Sequence, residues 1–343
     1  MHKGFLFVFI LSLYFGASAQ QSADTLRTFY VQEYPDDFFI WPVLKYRSLF
    51  FEVRDHADNE DRIVFRPNNA ATFGLGFYVF EIGFEVTFAI PLGEDQINIF
   101  GESDARDLQA NILGKSWGVD LYHQKYSGFY KDDSRVTIPK ATPYPQRPDV
   151  NTRNFGVSGF YVFNHQKFSL RSSYNYAERQ LISKGSVILY GTINSFHLTA
   201  DSAILGEPAR EGLGAGSDFV NLKYTTMSIA PGYSHNLVYK RFFVNGTFTL
   251  GPAHHWITVK PENGKERNDI GFNSTYSVRL AVGYSSDKIF GGIGWVVQSR
   301  VVRFEDIRFE NSSQTLRILI GYRFRERGIL EKRAWDFIPF FNR

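Results

Sequence analysis

The chain has 343 residues, a formal net charge of +3 and no cysteine, which excludes a disulfide-stapled domain and a cysteine-anchored lipoprotein. So small a positive excess gives no indication of nucleic-acid binding. Aromatic residues are frequent, with 34 Phe, 19 Tyr and 5 Trp beside 29 Gly, a mixture that suits a sheet with one face in lipid.

The N-terminus is organised like a secretory signal peptide. Lys3 precedes an apolar run over residues 4–15, and Ala17 and Ala19 supply the small residues of a cleavage site. The run is shorter than the roughly 20 residues that a helix needs to cross a bilayer, and no later run reaches that length. We therefore expect residues 1–19 to be a cleaved signal peptide and the protein to have no helical membrane spans.

The last regular segment, residues 315–324, indicates the architecture. Its two faces differ sharply, because Arg317 and Arg323 lie opposite an apolar set formed by Leu316, Ile318, Ile320, Tyr322 and Phe324. A strand between lipid and a wet lumen has this pattern. It predicts an all-β fold, a transmembrane antiparallel up-and-down β-barrel of about twelve strands (range 10–14).

The rest of the chain divides around this barrel. Residues 20–45 show no sustained period and are interpreted as a periplasmic lead-in or partial plug, residues 46–324 as the barrel, and residues 325–343 as an aromatic and basic periplasmic tail. The predicted strands are about 46–54, a hairpin over 73–90, 116–130 with a shorter hairpin partner, 151–164, 167–177, 185–199, 219–239, 242–258, 270–286, 288–304 and 311–324.

The lengths of the connections conflict with this strand set. Counting back from a periplasmic C-terminus places the long loops 91–107 and 131–149 on the periplasmic side, although long barrel loops normally face outward. Two interpretations remain open. Either residues 178–217 form one large outer excursion and 46–54 supplies a strand, or this barrel has long periplasmic loops.

Several short motifs resemble an uncharacterised family of Bacteroidota outer-membrane proteins, domain of unknown function family 4421. They are Arg66-Pro67-Asn68-Asn69 before Phe73-Gly74-Leu75-Gly76, Trp117-Gly118-Val119-Asp120-Leu121-Tyr122, Gln124-Lys125-Tyr126, Gly128-Phe129-Tyr130, Arg179-Gln180, Lys184-Gly185-Ser186 and Gly232-Tyr233. The resemblance spans most of the mature chain. It implies a barrel and a signal peptide, and it carries over no catalytic residue.

Charged residues on the polar faces of the predicted strands are the candidate lumen residues. They are Glu85, Asp120, Arg171, Arg279, Arg317 and Arg323, and the candidate aromatic girdle is Tyr276, Tyr284, Tyr322 and Phe324. The excess of arginine would make an open lumen favour anions. The same residues could instead form a ladder of arginine and carboxylate pairs that fills a narrow barrel.

Catalytic and metal-binding signals are weak. The parts of an acyl-transfer site would be Ser234-His235-Asn236, Ser195 with His197, or His254-His255, and adjacent strand residues face opposite sides. The acidic stretch 55–61 lacks the spacing of a calcium loop. We expect no catalytic residue, no metal and no cofactor.

Three functions are consistent with the sequence. The first is a pore or small-solute barrel with an arginine-lined lumen; the second is a structural or assembly subunit with a closed lumen; the third is a lipid-modifying enzyme. The expected location is the outer membrane of a Gram-negative bacterium. Expected partners are outer-membrane lipid and lipopolysaccharide, with a periplasmic or outer-membrane protein held by residues 325–343. That tail could also lie in the lipid interface or plug the barrel.

Overall fold

A computed structural model describes residues 26–35, 37–55, 61–79, 82–206, 210 and 213–325. The expected signal peptide and all but the first residue of the expected tail lie outside these ranges. Residues 26–30 are helical, and Glu94–Phe100 and Arg171–Tyr174 are short helices. The strands are β1 Val31–Glu33, β2 Asp37–Asp55, β3 Arg62–Arg66, β4 Thr72–Val79, β5 Ile82–Ala89, β6 Asp104–Leu113, β7 Trp117–Asp133, β8 Gln146–Val162, β9 Glu178–Gln180, β10 Lys184–Thr199, β11 Phe219–Tyr239, β12 Phe242–Pro261, β13 Arg267–Ser285, β14 Ile289–Phe304 and β15 Ile307–Arg325.

Ten antiparallel strands form a closed ring in the order β2-β3-β7-β8-β10-β11-β12-β13-β14-β15, and β15 pairs with β2 to close it. Closure leaves no free edge around this ring, which a sheet in lipid requires. The predicted all-β antiparallel barrel is therefore confirmed. Its wall begins at Asp37 rather than at residue 46, because β2 pairs with β15 from Asp37 onward, except at Trp41 and Pro42.

The two ends of the barrel differ in their connections. Short turns at 240–241 and 286–288 lie at one end, here called the turn end, where Phe38 pairs with Phe324. The longer connections 134–145 and 200–218 lie at the other, here called the loop end, which also has the two-residue turn 305–306. The turn end has one long connection, residues 163–183. In transmembrane barrels the short turns are periplasmic and the long loops extracellular.

The wall changes its strand number between the two ends. Toward the loop end, β3 bridges β2 and β7; toward the turn end, β2 pairs with β4, β4 with β5, and β7 with β6. The turn-end half thus has twelve strands, the ring of ten without β3 and with β4, β5 and β6 added. In the described part of the chain no pairing joins β5 to β6, so a seam separates these two strands.

Exposure along β15 shows the apolar outer face of the barrel. Leu316, Ile318 and Ile320 are 37%, 39% and 62% exposed, whereas Arg323 on the opposite face is 2% exposed. The period of two in the sequence produces this division because successive strand residues point to opposite sides. The barrel thus carries an outward band of large apolar side chains and buries its polar face.

The predicted strand over residues 167–177 is wrong, and its absence resolves the conflict over loop lengths. Residues 163–183 instead turn into the barrel from the turn end, with the helical turn Arg171–Tyr174 and the short strand β9. The first interpretation is right that 46–54 supplies a strand, since these residues lie in β2, but both interpretations are wrong about the connections. The region 178–217 is no single excursion, since it contains the wall strand β10, and the connection 134–145 lies at the loop end.

Candidate functional site

The interior of the barrel is the candidate functional site, and at the loop end it is filled by apolar side chains. Phe51 stacks on Phe65 with 4.7 Å between ring centroids, and it lies 5.4 Å from the ring of Phe309. Leu49, Val53, Ile63, Leu198, Leu222 and Val302 belong to the same buried cluster. These inward positions carry large apolar residues where a water-filled channel would have polar ones.

Within the same cluster, two aromatic rings from opposite walls meet across the centre of the barrel. Phe196 on β10 and Phe309 on β15 have ring centroids 5.7 Å apart. In the ten-stranded ring, β10 and β15 are five strands apart in either direction, so these residues project from opposite walls. Their contact leaves no room for a water-filled path between them. Neither residue was among the sequence-based candidates, although inward apolar positions on the strands could have indicated them.

On the turn-end side of this apolar cluster, one ion pair spans the lumen. Arg279 on β13 donates to the carboxylate of Asp120 on β7, five strands away by the shorter path. Asn111 donates a 2.7 Å hydrogen bond to the same carboxylate. The guanidinium of Arg279 also lies 5.4 Å from the ring centre of Tyr190 and 6.0 Å from that of Tyr174. Because its charge is paired with Asp120 and its side chain is buried among rings, Arg279 is not accessible to a passing anion.

Glu85, near the seam, is the centre of a second group of charged residues. Its carboxylate accepts a 2.7 Å hydrogen bond from Trp41 Nε1 and forms ion pairs with Lys45 and Arg317. Arg317 in turn donates a 2.6 Å hydrogen bond to the Tyr174 carbonyl oxygen. The sequence-based candidates omitted Lys45 and Trp41 because residues 20–45 had been assigned to the lead-in.

The turn end is closed by a plug, defined as residues 26–35 together with 163–183. Its two segments are joined by the pairing of β1 with β9 and by the fully buried Glu178. Arg27 donates a 2.5 Å hydrogen bond to Glu178, and Arg171 donates one of 3.2 Å. The plug therefore has an ionic centre that is paired within itself.

Glu33 lies at the edge of the plug. Burial raises the pKa of its carboxyl, but the hydrogen bond and charge of Lys115 and the charge of Arg27 outweigh it, so this pKa lies below its ordinary value. The Lys115 ion pair, 2.8 Å between Nζ and Oε1, connects β1 to the turn before β7.

The two remaining candidate lumen arginines hold the plug to the wall. Arg171 was predicted on a strand, but it lies within the plug and donates a 2.8 Å hydrogen bond to the hydroxyl of Tyr78 on β4. Arg323 on β15 donates to the Ser286 and Tyr176 carbonyl oxygens at 2.5 and 2.7 Å. Its guanidinium lies 4.0 Å from the ring centre of Tyr34. All six candidates thus have interaction partners inside the barrel, and none lines an open channel.

The candidate girdle residues lie at different heights on the outer face. Tyr322 and Phe324 are 37% and 40% exposed at the turn end, and Phe324 stacks on Phe38 with 4.8 Å between ring centroids. Tyr284 lies beside Phe242 at 5.2 Å. Tyr276 is nearer the loop end, and its hydroxyl donates a 2.8 Å hydrogen bond to Glu310.

The parts considered for a catalytic site do not assemble. Ser234 is buried in the lumen and lies 2.6 Å from the Thr247 hydroxyl, whereas His235 is on the outer face next to Tyr233. His197 contacts Asn221 at 3.1 Å, and no hydrogen bond joins it to Ser195.

The paired histidines diverge in the same way, because each points to a different side of β12. His255 is buried against the Thr226 hydroxyl at 2.8 Å, whereas His254 packs against Trp256 with ring centroids 4.4 Å apart.

No group of three or more His, Cys, Asp or Glu within the described ranges has the arrangement of a metal site. Most of the acidic stretch 55–61 falls outside those ranges. Its first residue, Asp55, accepts a 3.0 Å hydrogen bond from the Gly214 amide, so this carboxylate holds two loop-end connections together.

Known structures similar to this chain are bacterial outer-membrane proteins, all at low identity. The translocator domain of the autotransporter NalP from Neisseria meningitidis is 10% identical, with a TM-score of 0.29 over 92% of this chain and 99% of that one. Ail of Yersinia pestis, solved with the heparin analogue sucrose octasulfate, is 9% identical, with a TM-score of 0.25 over 84% and 99%. OmpT of Vibrio cholerae is 9% identical, with a TM-score of 0.26 over 83% and 100%.

No curated protein sequence matches the chain. The sequence profile described as a domain of unknown function, DUF4421, matches residues 23–324. This match runs from just before the plug to the end of β15 and confirms the resemblance seen in the short motifs. The chain therefore belongs to the DUF4421 family.

Proposed function

We propose that this protein is an outer-membrane barrel with a closed lumen, and that it serves as a structural or assembly subunit through its outer surface and its turn end. The contact between Phe196 and Phe309 carries this proposal. It joins opposite walls at the loop end, while the plug occupies the turn end. A barrel closed at both ends acts on its surroundings through the surfaces that it exposes.

The outer-membrane location has two supports. The closed antiparallel barrel has an outward apolar face, exemplified by Ile320 at 62% and Phe248 at 52% exposure. The sequence separately predicts export through a signal peptide that is removed after residue 19. Only the outer membrane receives exported barrels of this kind.

A pore or solute-transport role is the weaker candidate. It relied on the excess of arginine over carboxylate among the candidate lumen residues. Arg279 and Arg317 are each engaged by a carboxylate, and Arg323 donates to backbone carbonyls. The contacts therefore favour the alternative in which these charges fill a narrow barrel. A lipid-modifying activity has less support, since Ser234 and His235 face opposite sides of the wall.

Conductance in a planar bilayer tests the closed lumen. The mature protein, with and without residues 326–343, is expected to give no current steps above those of a bare bilayer. Protease resistance of the barrel in the same membrane verifies insertion. Stable anion-selective steps whose selectivity changes in Arg279→Glu would overturn the proposal and restore the pore.

Photo-crosslinking in cells tests the assembly role. A crosslinker at the outward Phe88, which is 73% exposed on β5 beside the seam, is expected to give a protein adduct of one discrete mass. The same crosslinker at Asn245, which is fully buried inside the barrel, serves as the matched control and should give none. Lipid adducts alone at Phe88 and at further outward positions would count against a protein partner.

A further inference from the structure

Five basic side chains form a row across adjacent strands on the outer face of the barrel. This cationic row consists of Arg106 on β6, Lys125 on β7, Arg153 on β8, His197 on β10 and Lys223 on β11. Each is the direct register partner of the next: Arg106 of Lys125, Lys125 of Arg153, Arg153 of His197, and His197 of Lys223. With neighbouring strands about 4.8 Å apart, the row extends about 19 Å.

The row faces away from the lumen. Arg106, Lys125, Arg153 and Lys223 are exposed and His197 is half-buried, whereas the residues next to them in sequence, such as Asn154 and Tyr224, are buried inside. The strand register also gives the position of the row along the barrel axis. One outward position nearer the turn end, β6 and β8 carry the exposed Leu108 and Phe155, whereas β7, β10 and β11 carry His123, Ser195 and Thr225. The next outward position on β7, β8, β10 and β11 is exposed and apolar throughout, with Leu121, Val157, Ile193 and Met227. The row thus borders the apolar band on the loop-end side.

The four permanent cations of the row have no carboxylate partner among the described residues. Other arginines near the loop end do: Arg54 pairs with Glu52, Arg308 with Glu310, and Arg267 with Glu305. Unpaired like charges on neighbouring strands repel one another, and this cost is removed when an anion lies between them. The contrast indicates that the row has an anionic partner from outside the chain.

A groove of about 290 Å³ follows the row and supplies further polar groups. Besides three of the cations and His197, its lining includes Ser127, Asn151 and Thr199, which can bond hydroxyl groups, and Asp104 at one side. Cations with neighbouring hydroxyl and amide groups suit a ligand that carries phosphates on sugars. Acyl chains of the same ligand would lie along the apolar band below.

We propose that the cationic row is a binding site for the phosphate groups of a phosphorylated glycolipid in the outer leaflet. The loop end carries the row, and the loop end is the extracellular end of a barrel with this connectivity. The polar head of the lipid occupies the groove, and its chains contact Leu108 and Phe155. This inference rests on the proposed outer-membrane location but not on the closed lumen.

The test compares two triple variants with the same change in charge. Arg106→Gln/Lys125→Gln/Arg153→Gln removes three cations of the row, and Arg54→Gln/Arg267→Gln/Arg308→Gln removes three cations that have carboxylate partners. Each protein is extracted from its own outer membrane into lipid nanodiscs, and bound glycolipid per barrel is measured by mass spectrometry. We expect at least a tenfold loss for the row variant and an unchanged amount for the control.

A vesicle-binding experiment distinguishes a site for glycolipid phosphate from a site for free inorganic phosphate. The wild-type protein should retain phosphorylated glycolipid about tenfold better than its dephosphorylated form, with retention falling as salt increases, and millimolar inorganic phosphate should not displace the lipid. Displacement by inorganic phosphate would identify a free-anion site instead. Equal retention by both triple variants would overturn the proposal.

Folding and location are checked separately from binding. If the row triple variant fails to insert, the single variants Lys125→Gln and Arg153→Gln are each expected to show a partial loss of lipid. A wild-type protein absent from the outer-membrane fraction would refute the location, whereas one that is present without glycolipid would refute only the binding site.

Discussion

Arg279 and Asp120 form a buried ion pair that crosses the barrel interior. Their side chains are 9% and 4% exposed, so the pair has lost most of its hydration. Such a pair contributes little net stability compared with apolar residues of the same shape. Removing one partner is different, because the other charge then stays buried without compensation. We infer that the pair acts on the relative position of the two opposite walls more than on net stability.

Replacing Arg279 alone should be costly, and replacing both partners should be much less so. Arg279→Met is expected to lower the free energy of unfolding by about 3–5 kcal/mol, because it leaves the Asp120 carboxylate buried and unpaired. The double variant Asp120→Asn/Arg279→Met should recover more than half of that loss. Urea unfolding in lipid vesicles, followed by tryptophan fluorescence, measures both. A double variant at least as unstable as Arg279→Met would contradict the coupling of the two side chains.

At the scale of elements, alternation in the sequence predicts wall strands well and fails inside the plug. In residues 167–177, Phe168 and Tyr176 alternate with Ser169 and Arg171, which is the pattern of a strand with two different faces. All four are buried in the structure, because a segment inside a barrel is enclosed on every side. Ser169 and Arg171 are polar because they hydrogen-bond to Glu178 and Tyr78 inside the barrel. Their polarity therefore does not show which face of the segment meets lipid and which meets water.

The sequence predicted which charged residues face the lumen, but it did not predict which of them form pairs. Glu85 and Arg317 were predicted to face the lumen from the period of their strands. These two residues are 232 positions apart in sequence, and they meet only because the barrel closes. Strand period gives the side to which a residue points. It does not give the residue that it meets across the barrel.

The seam beside β5 has a measurable consequence. Within the described ranges β5 pairs only with β4, so the amides that point toward β6 have no backbone acceptor. In detergent micelles we expect alternate β5 amides to exchange with deuterium on the order of a hundredfold faster than those of β12, which is paired on both sides. Hydrogen exchange followed by NMR resolves the alternation. Uniform protection along β5 would mean that another strand occupies the seam.

For the whole molecule, the two closures lie in series along the barrel axis. The plug is held at the turn end by Glu178 and Arg323. Phe196 and Phe309 meet in the loop-end cluster of buried apolar residues, which contains no residue of the plug. Because either closure blocks the lumen alone, loosening the plug should admit small reagents from the turn end without creating a pore. The absence of cysteine allows this to be measured with single introduced thiols.

The variant Glu178→Ala leaves Arg27 and Arg171 without their buried carboxylate, a loss of about 3–5 kcal/mol that favours an open plug by a hundredfold or more. A thiol at Asn245, which accepts a 2.7 Å hydrogen bond from Tyr174 of the plug, should then react with a water-soluble maleimide about a hundredfold faster than in the parent. A thiol at Asn311, buried nearer the loop end, should stay protected. Glu262→Ala at the loop end is the control and should change neither rate. Equal acceleration at both thiols would mean that the two closures open together as one unit, because access to Asn311 from the turn end requires the aromatic cluster to part as well.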